Sequence, residues 1–145
     1  MRRTLHRRDQ VMTGRQVGSG TLDGMLPYER LEAWKVCYAL VLGVYKATET
    51  FPKHELYGIT SPARRAAFSV AANIAEGSAK RGPREFRRFL DIAIGSLAEL
   101  AFTLRLSMDL GFLPQPAWED LDELRRGAGF LTWRLARSMR GSDAR

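Results

Sequence analysis

The sequence predicts an all-α protein, an up-down-up-down four-helix bundle, and three observations carry that prediction. Apolar residues recur at spacings of three and four through most of the chain, the period of a helix that buries one face. Proline and glycine fall between the periodic segments, at Pro52, Gly82-Pro83, Gly111 and Pro114, where they close one helix and open the next. No segment alternates apolar and polar residues as a half-buried strand does. Four long helices with short connections pack as antiparallel neighbours.

The first helix is expected from about Tyr28 to Phe51. Leu31, Trp34, Tyr38, Val41, Tyr45 and Thr48 make one stripe, and Ala33, Cys37, Leu40 and Val44 make a second beside it. One stripe suffices for a bundle core. Two allow either deep burial or packing on a second copy. The second helix starts near Thr60 or Ser61, either able to cap it, with Pro62 in its first turn. Its stripe, Ala63, Ala67, Val70, Ile74 and Gly77, is made of small residues that let a partner helix come close. The third helix runs from about Pro83 to Leu110 on a heptad-like seam of Phe86, Leu90, Ala93, Leu97, Leu100, Leu104 and Ser107. The fourth covers about Pro116 to Met139, with Leu121, Leu124, Ala128, Leu131 and Leu135 inward. Acids crowd its start (Glu119, Asp120, Asp122, Glu123) and arginines its end (Arg134, Arg137, Arg140), as the helix dipole favours.

A chain of 145 residues, 45% hydrophobic, fits one bundle domain over residues 27–140. Residues 1–26 read as a disordered basic tail and 141–145 as a disordered end. "MRRTLHRRDQVMTGRQVGSGTLDG" has no lasting periodicity and too little apolar surface to offset the entropy of ordering it. Translation is expected to start at Met25 or Met12, the rival reading being a basic arm that touches RNA or DNA. Cys37 is the only cysteine, so a disulfide framework is excluded and a reducing cytoplasm fits. No apolar run approaches the ~20 residues of a membrane span, and the N-terminal arginines precede no apolar run of a secretory signal.

The net charge is +7, and its distribution says more than its size. Residues 60–90 hold Arg64, Arg65, Lys80, Arg81, Arg84, Arg87 and Arg88 against only Glu76 and Glu85. Lys80, Arg81, Arg84, Arg87 and Arg88 cluster at the turn between the second and third helices, a candidate phosphate-binding surface at one end of the bundle. The plainer reading is a solvated helix end with internal ion pairs. Few aromatics interleave with these cations, so weak sequence preference is expected. Equal helical rise on both sides of Gly82 sets Arg65 level with Glu99, Glu76 with Arg88 and Asn73 with Asp91. Pairs between the two helices are expected there, with Arg64 able to replace Arg65. Glu99 sits among leucines, and a partly buried carboxylate needs such a partner. This polar network is read as setting helix register rather than as catalytic.

Catalytic patterns are missing. A di-iron bundle needs Glu-x-x-His on two helices, whereas His6 lies in the tail and His54 in a loop. No Ser or Cys has a credible His partner. "GSGTLDG" lacks the preceding strand and the Gly-Lys-Ser/Thr of a phosphate loop. No metal or cofactor is expected.

The runs "ITSPARRAAFSVAANIAEGSAKR" and "REFRRFLDIAIGSLAEL" resemble the four-helix-bundle proteins encoded in intervening sequences of bacterial 23S ribosomal RNA genes. Arg64-Arg65, Asn73 to Gly77 and Gly95 to Glu99 are the specific parts, and the likeness extends from about Tyr28 to Leu113 and beyond. The accessory variability protein of diversity-generating retroelements is similar in fold, and binds nucleic acid and a reverse transcriptase. Pro62 stands where that family often has a polar residue and Ala71 where it often has proline; the tail before Met25 is not part of its pattern. The resemblance implies a bundle assembled as a homopentamer with a basic surface, and no established activity. The expected function is therefore that of a non-enzymatic, cytoplasmic homo-oligomer that meets RNA or DNA backbone through the arginine-rich end. The alternative is a scaffold for a protein partner, such as a reverse transcriptase or an RNA-processing enzyme.

Overall fold

The computed structural model describes residues 24–141. The expected tail and C-terminal end, with the start-site question at Met12, lie almost wholly outside the described residues. Four helices carry the fold: α1 Glu32–Thr48, α2 Ser61–Ser78, α3 Pro83–Asp109 and α4 Gln115–Arg140. Among the described residues there is no strand.

Each helix packs on its neighbours in the chain, and α1 closes the ring against α4. Contacts across the α2–α3 and α1–α4 seams run antiparallel. Ser69 of α2 meets Ser96 of α3, and Gly77 lies against Phe86 and Phe89. Gly129 of α4 faces Leu97, while Leu121 and Gly127 face Gly43 and Val36 of α1. These pairings fit the expected up-down-up-down order of an all-α four-helix fold.

The expected stripes of α2 and α3 form the core. Ala63, Ala67, Val70, Ile74 and Gly77 are buried, as are Leu90, Ala93, Leu97, Leu100, Leu104 and Ser107. On α1 the two stripes divide. Ala33, Cys37, Leu40 and Val44 point inward, whereas Tyr38 and Tyr45 remain 46% and 43% exposed.

Two boundaries differ from expectation. A short 3-10 turn, Pro27–Arg30, precedes α1, so the first helix begins later than Tyr28. Thr60 does not cap α2: its backbone is already helical, with no side-chain cap bond. A π-helical turn, Leu56–Thr60, feeds directly into α2, so the first amides of α2 find partners in the preceding turn and need no cap. Arg64 fixes this entry. Its Nε donates to Thr48 Oγ1 at 2.8 Å and its guanidinium lies over the Tyr45 ring.

Candidate nucleic-acid interface

The end of the bundle nearest the α2–α3 turn is built by a close helix approach. A Cβ on Gly77 would stand 2.7 Å from Phe89 Cβ and 2.8 Å from Phe86 Cδ2, so only glycine admits α3 there. Gly82 has φ +83°, a conformation that favours glycine, and Pro83 opens α3 with a preset φ. This tight turn gathers the cations. Lys80, Arg81, Arg84 and Arg88 are exposed and Arg87 half-buried.

Part of that charge is already engaged. Lys80 reaches Glu76 at 3.9 Å and Arg88 reaches Glu85 at 3.3 Å. Both cations also lie over the buried Phe89 ring, at 5.5 and 4.7 Å from its centroid. The cluster is thus anchored by its stems and rings while its heads stay in water. Exposed ion pairs of this kind hold weakly, which leaves the cations available to a stronger polyanion.

The expected pairs between α2 and α3 do not form as drawn. Glu76 pairs within its own helix, Arg88 with Glu85, and Arg64 turns toward α1. Asn73 Nδ2 donates to the Ser69 carbonyl and to Ser69 Oγ, and that hydroxyl meets Ser96 Oγ at 2.8 Å. Asn73 therefore supports the seam through a serine pair, without Asp91. The register itself is off by only one residue, since Ser69 was set level with Gly95. Helical phase is the cause of the difference. Arg65, Glu99 and Asp91 sit on outward faces and are exposed. Glu99 is next to Leu100 in sequence, but one step turns ~100° around the helix, so its carboxylate escapes to solvent.

The buried carboxylate is elsewhere. Asp122, expected only as a dipole acid at the start of α4, is 8% exposed. It accepts from Arg125 Nε at 2.8 Å and from Arg126 Nε at 2.9 Å. Burial pushes its carboxyl up, but the hydrogen bonds and charges of the two arginines outweigh that and hold it below the ordinary 3.8. Its signal in the sequence is the i, i+3 and i, i+4 spacing to two arginines. These arginines are thereby partly neutralised, unlike those at the end of α4.

The end of α4 was not recognised in the sequence as part of the site. Because α4 runs antiparallel to α3, its last turns come level with the arginine-rich first turns of α3. One depression is lined by Arg84, Glu85, Arg87, Arg88 and Asp91. A second, of about 380 Å3, is lined by Asp91, Ile94, Trp133, Ala136, Arg137 and Arg140. Asp91 borders both, so the two depressions are neighbours. The signal that could have found it is the aromatic–arginine spacing Phe130–Arg134 and Trp133–Arg137, one helical turn each.

Among the described residues no three His, Cys, Asp or Glu side chains cluster to hold a metal. Cys37 is buried, and burial pushes its thiol up to about 11 against the opposing hydrogen bond it shares with Thr132, so it is an inert core group at neutral pH. Among the described residues no helix is long and apolar enough to cross a membrane.

No curated protein matches the chain. The sequence profile of the 23S rRNA-intervening sequence proteins matches residues 29–128, from the turn before α1 to the middle of α4. That span is most of the bundle, and the chain belongs to the family of 23S rRNA-intervening sequence proteins.

Proposed function

We propose that this protein acts without catalysis, as a cytoplasmic helical bundle that associates with RNA or DNA backbone through its arginine-rich end. The observation that carries the reading is the convergence of Lys80, Arg81, Arg84, Arg87 and Arg88 on one tight turn, with the arginines of α4 brought beside them. A surface of this kind gains affinity by releasing counterions from phosphates, so it binds in a salt-dependent way. The family takes its name from intervening sequences of 23S rRNA, which makes RNA the first polyanion to test.

Self-association, expected as a homopentamer, belongs to the same reading. Tyr38, Leu42 and Tyr45 on α1, Phe102 and Leu106 on α3, and Leu110 just after it leave large apolar side chains in water. A second copy would cover them, and a ring would repeat the basic end around its axis. The same apolar residues favour the second reading, a scaffold for a protein partner.

The test is binding to generic RNA and to duplex DNA over a salt series. The proposal expects affinity to fall steeply with salt. Changing Arg81, Arg84, Arg87 and Arg88 together to Ala reduces the slope of log K against log[salt] by about three, with the oligomer unchanged in sedimentation. No binding at low salt, or a slope untouched by the four changes, would leave the scaffold reading in its place.

A further inference from the structure

We infer that the groove between the first turns of α3 and the last turns of α4 holds an unpaired nucleotide of a single-stranded nucleic acid, with Trp133 as the surface on which its base stacks. This rests on the nucleic-acid reading above and goes further, because it names a strand type and a stacking residue.

Trp133 is 49% exposed and Phe130 58%. Each carries a guanidinium one turn further on: Arg137 lies 5.3 Å from the Trp133 ring centroid and Arg134 5.6 Å from that of Phe130. Aromatic and cation thus alternate on the outer side of α4. That arrangement suits a single strand, whose bases seek flat π-faces while its phosphates seek charge.

The depression beside Trp133 has the remaining parts. Ile94 and Ala136 give it apolar walls, Arg137 and Arg140 give it cations, and Asp91 gives it one carboxylate. Its volume of about 380 Å3 is at the small end of ligand-sized clefts. On the other side of Asp91 lies the depression that holds Arg84 and Arg88, so phosphates on either side of a stacked base would both meet arginine. A phosphate is repelled at Asp91 itself. That carboxylate can only accept hydrogen bonds, so it orients the amino or imino edge of a base toward the groove. A duplex cannot use the site, because its bases are stacked on one another and their edges are paired. Phe130 to Arg140 follow the last residue of the family match, so the family assignment covers only the α3 side of this surface.

The experiment measures binding of a labelled single-stranded RNA of about ten nucleotides, the same sequence as single-stranded DNA, and the corresponding duplex. The full chain is used, with helix content and sedimentation checked for every variant. Trp133→Ala is expected to weaken both single strands on the order of tenfold while leaving duplex binding and its salt slope unchanged. Trp133→Phe retains most of the single-strand affinity, and this variant separates stacking from a folding defect. Arg137→Ala lowers the single-strand salt slope by about 0.7. The tighter of the two single strands identifies the natural source. Salt-dependent binding that Trp133→Ala leaves intact, or lowers equally for duplex and single strand, overturns the stacking site but not the basic-end reading. An oligomer that dissociates in Trp133→Ala, with single-strand affinity unchanged, makes this surface a protein interface and overturns the proposal. Absence of all binding removes both readings.

Discussion

The two seams that α3 makes with its neighbours differ in how they are closed. Against α2 it meets alanines, serines and Gly77, and the backbones approach until a single methyl group no longer fits. Against α4, at the same end of the bundle, it meets Trp133, Arg137 and Arg140 across an open groove. Small side chains seal one seam. Large amphipathic ones hold the other ajar, with aromatic rings and charge facing water. The sealed seam supplies stability, and the open one is where a ligand has room.

Truncation in the buried core should have the largest effect. Leu100 is fully buried, and Leu100→Ala should destabilise by about 3 kcal/mol in urea unfolding. Half-exposed Trp133 changed to Ala should cost well under that. Equal losses would erase the distinction between the seams.

The glycines sharpen it. Gly77→Ala would press a methyl onto Phe89 Cβ at 2.7 Å, an overpacking that should cost about 1–3 kcal/mol. Gly129 on α4 has Leu97 Cδ1 no nearer than 4.0 Å. Gly129→Ala should therefore stabilise by about 0.5–1 kcal/mol, through helix propensity and a less flexible unfolded chain. The two substitutions are chemically identical, so the opposite signs of their melting-temperature shifts would report the spacing of the seams. Shifts of the same sign would contradict it.

The smallest effect is electrostatic. Asp122 is held below its ordinary 3.8 by Arg125 and Arg126 despite its burial. A depressed folded value means that its contribution is fully present above about pH 4 and is lost as pH falls through the folded value. Asp122→Asn should flatten that part of the acid limb of stability, and a variant with an unchanged limb would show that the clamp contributes nothing.

The core of α2 and α3 could be read from the sequence almost residue by residue, because burial follows helical period, whereas on α4 Leu121 and Ala128 are buried but Leu124, Leu131 and Leu135 only partly so. Every α3 seam position from Leu90 to Ser107 is buried as expected. The polar residues were harder. Glu99 was placed inside from its neighbours in sequence, although its phase turns it outward. Asp122 reads in the sequence only as an acid that suits the helix dipole, whereas two arginines one turn on allow it to be buried. The arginine cluster at Gly82 was visible as a charge excess within one segment. Its continuation onto Trp133, Arg137 and Arg140 was not, since it joins residues about fifty positions apart that only the antiparallel packing brings level. Periodicity reports what one helix hides, whereas a groove between two helices depends on their spacing.

The most direct measurement of the central claim is a photo-crosslinking map with single-stranded RNA carrying 4-thiouridine, read by peptide mass spectrometry. The account predicts crosslinks concentrated in the peptides around Arg81 to Asp91 and Trp133 to Arg140, diminishing as salt is raised. Crosslinks concentrated instead on the apolar face of Tyr38, Leu42 and Tyr45, with both arginine-rich segments unmodified, would contradict it.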